Sequence, residues 1–235
     1  MYRYLDGAQI IETIRRLQRR IDERFPESGL TGVCGDLLSA ATESPARVAR
    51  LRRPNVPLRL VIWALIVVLV YVGIEALLHL RLGTGWGDVA NFLQSSQAIQ
   101  NVVFLGIAVL FLANVETRIR RRRTLDALHE LRSIAHLVDM HQLTKDADQF
   151  LAERVTTESS PRHVMTRFEL SRYLDYCTEM LSLTSKVATL YVQDFQDAVV
   201  LEAVNDMENL TTGLSQKIWQ KIMILDQRGA AQRHS

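Results

Sequence analysis

The sequence predicts an all-α, homo-oligomeric membrane protein built on a two-helix transmembrane hairpin. Two long apolar runs lead to this prediction: residues 60–80, broken only by Glu75 and His79, and residues 89–115, which hold no charged residue. A helix that crosses a bilayer needs about 20 mostly apolar residues. Each run is long enough, and the predicted spans cover about residues 59–81 and 93–116.

Arginine flanks these runs and is nearly absent between them. The only charged residues in the connector between the two runs are Arg81 and Asp88. Because basic residues stay on the cytoplasmic side, we expect both termini in the cytoplasm and the connector outside. Arginine also greatly outnumbers lysine, which indicates a GC-rich bacterial genome and hence the bacterial inner membrane. The flanking arginines are Arg47, Arg50, Arg52, Arg53 and Arg59 before the runs, and Arg118, Arg120, Arg121, Arg122 and Arg123 after them.

The spans divide the chain into three parts. We predict a cytoplasmic amphipathic arm with a linker at residues 1–57, the hairpin at 58–117 and a cytoplasmic helical assembly and sensor region at 118–235. The arm is too short to bury a good core alone. It must therefore pack on the C-terminal region, on other subunits or on the membrane. Cys34 and Cys177 both fall on the predicted cytoplasmic side, where a disulfide is not expected.

The arm contains one clearly amphipathic segment. Residues 8–25 place apolar side chains at helical spacing, with arginines on the other side. This basic helix either packs on other cytoplasmic helices or lies on the anionic inner leaflet, and we favour the first. A second short helix is predicted at residues 32–42, and residues 43–57, with three prolines, are predicted to be a linker.

The C-terminal region is predicted to be helical almost throughout. The second span should run on as one helix to residue 142, and a shorter helix is expected at 146–155. The next helix starts either at Ser160-Pro161 or at a capping box formed by Thr166 and Glu169. Residues 162–228 then form either a coiled coil with a stutter near Val199 or two helices that fold back around residues 205–213. We favour the fold-back.

A polar stripe along the second span is the main candidate for function. Polar side chains inside a span need protein or water as partners, because lipid cannot hydrogen-bond them. Around a symmetry axis, the stripe would give a polar vestibule, an apolar constriction and an acidic inner mouth. Alternatively, the outer amides sit in the interface and Asn101 bonds to a neighbouring helix. The predicted pore-lining residues are Gln94, Gln97, Asn101, Leu105, Ala108, Leu112 and Glu116.

Glu75 and His79 form a second candidate site, inside the first span. An acidic residue within a membrane helix is by default a functional hypothesis. Here it would be an ion-attracting ring or a proton-sensitive switch that shares a proton with His79. The alternative is a structural hydrogen bond to the second span. In either case Glu75 should not face lipid.

Two further groups lie on the cytoplasmic helix. The block of Arg118, Arg120, Arg121, Arg122 and Arg123 is explained by topology and lipid headgroups, and it could also bind a phosphate-rich ligand. His129, His136 and Asp139 could form a polar ligand site or a cluster between subunits. Their spacing fits a helix-borne zinc site poorly, so no metal is predicted. Otherwise they are ordinary polar residues of a helix.

The chain carries no motif typical of an enzyme. It has no glycine-rich phosphate loop, no nucleophile with a base at motif spacing and no cysteine–histidine metal set. We therefore predict no catalytic residues and no cofactor.

The arginine-flanked hairpin, the minimal outer loop and the helical cytoplasmic region resemble the two-pass membrane effectors of bacterial anti-phage systems, of which the CBASS and Hailong types are examples. The resemblance is one of architecture and covers residues 58–228 loosely. It implies a membrane effector controlled by a nucleotide or oligonucleotide signal from a partner enzyme.

Two functions are compatible with these features. The first is a channel or membrane-depolarising effector, which would need a tetramer or larger assembly because one hairpin supplies too few helices for a pore. The second is a membrane-anchored scaffold whose long helices recruit a soluble partner.

Overall fold

A computed structural model of the chain describes residues 5–26, 28–52, 56–82, 89–143, 145, 165–193, 195 and 197–231. Within the helices, the side chains at positions 52, 58, 76–82, 89–99, 101, 102, 105, 113 and 228–231 lie outside the described set. The predicted helix at 146–155 and the predicted helix start at 160–161 also fall outside it.

Every regular element in the described part of the chain is an α-helix, so the all-α prediction is confirmed. The helices are α1 (Gly7–Arg24), α2 (Gly29–Arg52), α3 (Val56–Leu82), α4 (Val89–Leu143), α5 (Arg167–Leu190) and α6 (Ala198–Ala231). They belong to two compact units. One comprises Met1–Arg52 and Arg123–Ser235 and is called the bundle below; the other comprises Arg53–Arg122 and is called the hairpin unit.

The bundle has one apolar core, to which α1, α2, α5, α6 and the part of α4 after residue 122 all contribute. Helix α5 packs against α1, α2 and α6. Phe25, just after α1, meets the edges of two α5 tyrosines, with ring centroids 5.4 Å from Tyr173 and 6.2 Å from Tyr176. The aromatic cluster therefore holds α1 against α5.

Helix α1 buries its apolar stripe inside the bundle. Ile10, Ile14, Leu17 and Ile21 are buried, and Asp6 caps the helix by accepting a hydrogen bond from the Ala8 amide at 2.9 Å. This outcome matches the packed alternative for the basic amphipathic segment. Because the apolar face is covered by protein, it is not the surface that would lie on a membrane.

The predicted linker at 43–57 is wrong over its first ten residues, because α2 continues to Arg52. Pro45 lies inside α2 and has no N–H for the carbonyl four residues earlier. The buried Ser44 hydroxyl donates to that carbonyl, of Ala41, at 2.8 Å. The hydroxyl thus substitutes for the missing backbone bond and lets the helix pass through the proline.

Helices α5 and α6 form an antiparallel pair, as the fold-back alternative expects. The capping box is confirmed, and Thr166 caps α5. The Thr166 backbone N–H donates to the Glu169 carboxylate, and the Glu169 backbone N–H donates to the Thr166 hydroxyl. The predicted fold-back position is wrong, since the chain turns between Leu190 and Ala198 and not at 205–213. The Asp197 carboxylate accepts hydrogen bonds from the Val199 and Val200 amides at 3.1 and 3.3 Å and so starts α6 there.

The hairpin unit contains α3 and the first part of α4. The long second helix is confirmed, since α4 runs unbroken for 55 residues. Large apolar side chains on both helices are 49–66% exposed, from Val68 on α3 to Leu110 on α4. Within the described residues and side chains, no helix combines enough length with enough apolar character to cross a bilayer.

Candidate functional site

The predicted pore stripe lies along α4. Ala108, Leu112 and Glu116 are half-buried, whereas Ile107 and Phe111 are 57% and 58% exposed. The described end of the stripe is therefore the more sheltered face of α4. Gln94, Gln97, Asn101 and Leu105 are on the same helix, but their side chains lie outside the described residues.

Glu116 joins the two helices of the hairpin unit. Its carboxylate accepts a hydrogen bond from Arg59 Nε of α3 at 3.4 Å and a second, charge-assisted bond from Arg120 one turn further along α4. Only 13% of the Glu116 side chain is exposed. Glu116, which was expected at the inner end of the pore stripe, is therefore an ion-paired carboxylate shared by two guanidinium groups.

Glu75 lies on an exposed part of α3, whereas the His79 side chain lies outside the described residues. A single chain does not bury Glu75. That Glu75 does not face lipid stays a prediction.

The arginine block after the predicted span is spread around α4. Arg118, Arg122 and Arg123 are exposed, whereas Arg120 and Arg121 are half-buried. The Arg118 guanidinium lies 5.8 Å from the centroid of the Phe111 ring. This cation–π contact places a charged group directly beside an exposed aromatic side chain.

The residues of the predicted histidine cluster all lie on α4, and their role as a ligand site stays a prediction. His129 lines a small cavity of about 50 Å³ between α4 and α6, together with Arg132 and Asp206. His136 is exposed elsewhere on the helix, and Asp139 accepts a hydrogen bond from Gln142 Nε2 at 2.7 Å. Among the described residues, no three His, Cys, Asp or Glu side chains are close enough to hold a metal ion.

The two cysteines are free and buried, Cys34 on α2 and Cys177 on α5. Burial raises the pKa of each thiol to about 12. Because the thiolate is the reactive form of cysteine, the raised pKa makes both thiols weakly reactive, and both side chains belong to the apolar core of the bundle.

Arg47 ties α2 to α4 within the bundle. Its guanidinium donates to Glu130 at 2.5 Å and to Glu43 at 2.7 Å, and the bond to Glu130 is the main cause that raises the pKa of Arg47. Tyr191, in the turn before α6, is buried beside it. Burial raises the pKa of Tyr191, and the positive charge of Arg47, together with its hydrogen bond, partly offsets that rise.

A polar groove of about 430 Å³ between α5 and α6 was not predicted from the sequence. Its lining combines hydroxyl groups with one amine, one amide and one indole, and Trp219 is 59% exposed. The Lys186 amine donates to the Ser182 hydroxyl at 2.7 Å. The lining residues are Thr178, Ser182, Ser185, Lys186, Thr211, Thr212, Ser215, Gln216 and Trp219.

Comparisons with models of protein families, with characterised proteins and with solved structures find no match to this chain.

Proposed function

We propose that the chain is a homo-oligomeric membrane effector of the bacterial inner membrane that forms a channel or otherwise depolarises the membrane. In this proposal the hairpin unit inserts into the bilayer and the bundle lies in the cytoplasm. The second span lines the pore, and a nucleotide-type signal or a partner protein acts on the bundle.

The observation that supports membrane insertion is the apolar surface of the hairpin unit. Thirteen large apolar side chains of α3 and α4 between residues 60 and 111 are at least 49% exposed. Monomeric soluble proteins rarely expose apolar surface on this scale, and such surface marks contact with a membrane or another protein. The exposed set comprises Leu60, Val61, Trp63, Val67, Val68, Val70, Tyr71, Ile74, Val103, Phe104, Ile107, Leu110 and Phe111.

The charged end of the hairpin unit supports the orientation. Arg59, Glu116 and Arg120 form their network where the apolar surface ends on both helices, and Arg118 follows immediately. Arginine at the end of a membrane helix sits at the headgroup level of the cytoplasmic leaflet. This arrangement favours termini that face the cytoplasm.

The need for an oligomer follows from the number of helices per chain. Two helices cannot enclose a pore, so about four or more copies would surround an axis. In such a ring, Gln94, Gln97 and Asn101 would find protein or water instead of lipid. Ion-paired Glu116 would stand at the inner end of the same stripe.

Planar-bilayer recording of the purified and sized oligomer tests the proposal. We expect wild-type protein to conduct, and Asn101→Leu or Leu105→Asp to change the conductance because both alter the predicted lining. Ile107→Leu, on the exposed side of α4, is the matched control and should conduct like wild type. A clean oligomer that stays silent with and without cytoplasmic extract would contradict the channel.

A scaffold is the second candidate function, and the groove between α5 and α6 favours it. Tryptophan is enriched in protein-binding hot spots, and Trp219 is 59% exposed beside this groove. Under this alternative Trp219→Ala abolishes recruitment of a soluble partner, while Asn101→Leu has no effect.

A further inference from the structure

We propose that the polar groove between α5 and α6 binds a nucleotide, with the phosphate held by Lys186 and the base stacked on Trp219. The inference deepens the proposed function and rests on it, because it gives the nucleotide-type signal a binding site on the bundle. Three observations carry it: the construction of the groove, the hydrogen-bonding groups of its lining and the placement of the amine and the indole.

The groove is built from one side of each helix. Its four lining residues on α5 and its five on α6 recur at helical spacing, so each set faces the same way. Thr211 is buried and Ser215 half-buried, so these two form the floor, whereas Thr212 and Gln216 are exposed at the rim. The volume of about 430 Å³ lies within the range of small-molecule sites, which is about 300–1,000 Å³.

The lining offers donors that suit a phosphate. Among the lining residues that the structure describes, Lys186 is the only charged one, so the groove carries a positive charge and no carboxylate. The Lys186 amine donates to the Ser182 hydroxyl at 2.7 Å, and that hydroxyl keeps its own proton for a ligand. An ammonium group beside hydroxyl donors is well suited to bind phosphate oxygens.

The deeper hydroxyl groups offer acceptors instead. The Thr178 hydroxyl donates to the Asp175 carbonyl at 2.7 Å. The Thr211 hydroxyl likewise donates to the Met207 carbonyl at 3.0 Å. Since each hydroxyl gives its proton to its own helix, it can only accept a hydrogen bond from a ligand. Such acceptors suit the hydroxyl groups of a sugar or the amino group of a base.

The pairing of the two helices fixes which residues face each other across the groove. Helices α5 and α6 run antiparallel, and the Thr189 hydroxyl lies 3.3 Å from Glu208 Oε1. Counting back along α5 and forward along α6 by the same number of residues brings Ser182 level with Ser215. These two serines therefore mark the middle of the groove.

The amine and the indole approach this middle from opposite ends. Long side chains on a helix lean toward its N-terminus. The Lys186 amine accordingly lies beside Ser182, and Trp219 on the antiparallel helix leans toward Ser215. The indole is 59% exposed, and an exposed aromatic ring is a stacking surface for any base. A ligand that joins a phosphate to an aromatic base through a sugar matches this arrangement, and a nucleotide has that composition.

Tryptophan fluorescence tests the site in the full-length protein in nanodiscs. The chain has three tryptophans, so the background variant W63F/W86F leaves Trp219 as the only indole. We expect at least one of the common ribonucleoside 5′-monophosphates to quench this fluorescence saturably, with a Kd below about 1 mM. Absence of saturable quenching by all of them overturns the inference.

Variants of the two anchoring residues locate the bound nucleotide, with equilibrium dialysis as the readout. Lys186→Gln and Trp219→Ala should each weaken binding about tenfold, and Trp219→Tyr should retain most of it because the stacking ring remains. Lys217→Gln is the matched control, since it removes an exposed lysine of α6 that lies outside the lining. Unchanged affinity in Lys186→Gln or Trp219→Ala, or an equal loss in the control, overturns the inference.

The two halves of the ligand test its chemical class. The nucleoside lacks the phosphate and ribose 5-phosphate lacks the base, so each should bind more weakly than the whole nucleotide. Ribose 5-phosphate that binds as tightly as the nucleotide would show a site for phosphates without a base, and would overturn the inference.

Conductance separates this inference from the proposed function. If the nucleotide binds as predicted while wild-type oligomers stay silent with and without it, the site stands and the channel fails. If the protein conducts and no nucleotide binds, the channel stands and the site fails.

Discussion

The bundle and the hairpin unit contain similar apolar residues in opposite situations. Leu17 in the bundle is fully buried, whereas Leu60 in the hairpin unit is 65% exposed. The cause is visible in the sequence: α1 carries its apolar residues every three or four positions, whereas α3 is apolar on all sides. One layer of neighbouring helices can cover the apolar stripe of an amphipathic helix, but it cannot cover a helix that is apolar on all sides.

This contrast shows that the two units differ in what they require from their surroundings. The bundle covers its own core and leaves arginines and carboxylates outside. The hairpin unit leaves large apolar side chains uncovered within one chain, and exposed apolar surface of this kind is typical of contact with a membrane or with another protein. Four substitutions, taken in order of expected effect, test this comparison and the contacts that hold the bundle together.

Leu17→Ala should give the largest effect. Removing a fully buried leucine side chain from a packed core typically lowers the free energy of unfolding by about 2–5 kcal/mol. Leu60→Ala is the matched control, since its side chain is mostly exposed. Urea unfolding of the full chain in detergent measures the stability of both variants, with the circular dichroism of the buried tyrosines as the signal. Equal losses from the two variants would contradict the contrast between the units.

Ser44→Ala should destabilise the bundle by about 1–3 kcal/mol, because it leaves the Ala41 carbonyl buried without its donor. Adding Pro45→Ala restores a backbone N–H at that position, so Ser44→Ala should have a smaller effect in that background. The urea unfolding midpoints of the wild type, the two single variants and the double variant give the coupling free energy between positions 44 and 45.

The hairpin unit supplies the control for this cycle. Pro57 lies in the first turn of α3, where backbone N–H groups have no partner inside the helix. Pro57→Ala should therefore leave the unfolding midpoint nearly unchanged. A coupling near zero between Ser44 and Pro45 would show that the hydroxyl does not replace the missing bond.

Thr166→Ala removes the cap of α5 and should lower the free energy of unfolding by about 1 kcal/mol. Thr178→Ala is the comparison, because that hydroxyl bonds a carbonyl of its own helix at 2.7 Å and caps nothing. Thermal unfolding distinguishes them. If Thr178→Ala lowers the melting temperature as much as Thr166→Ala does, the capping box contributes no more than an ordinary helix hydroxyl.

Glu12→Gln should have the smallest effect, and that effect should depend on pH. Hydrogen bonds from Arg16 and Arg15 hold the pKa of Glu12 below its ordinary value of 4.5. A carboxylate with a lowered pKa contributes stability above its unfolded pKa, and that contribution is lost as pH falls through the folded value. Wild type should therefore have a slightly higher urea midpoint than the variant at neutral pH, and the difference should shrink as the pH falls below 4.5 and through the lowered pKa of Glu12. A difference that grows in acid would refute this assignment.

Local periodicity and capping predicted much of the fold. The amphipathic segment 8–25 corresponds to Gly7–Arg24 because its buried positions repeat regularly, and the Thr166–Glu169 capping box placed the start of α5. The unbroken α4 was also predicted, since no proline or glycine interrupts residues 117–143.

The wrong predictions have a different cause: they concern contacts between side chains and backbone that the order of residues in the sequence does not show. Pro45 looks like a helix breaker until the neighbouring Ser44 hydroxyl is seen to replace its bond. Gly213 and Asn205 suggested a fold-back, but Asp197 caps α6 earlier and the helix runs through both. The groove beside Trp219 exists only because α5 and α6 pair antiparallel, so neither helix alone could have indicated it.

The positions of the lysine side chains affect how the number of subunits can be measured by crosslinking. The Lys221 amine lies 3.2 Å from the Gln142 carbonyl and 3.5 Å from that of Lys145, at the end of α4. The Lys145 amine rests 5.4 Å from the Tyr173 ring. Only four lysines exist in the chain, so amine-directed crosslinkers would react mainly through Lys186 and Lys217, both exposed. A sparse ladder of crosslinked species would then reflect scarce reactive amines, and carboxylate-directed or photoactivated reagents suit this protein better.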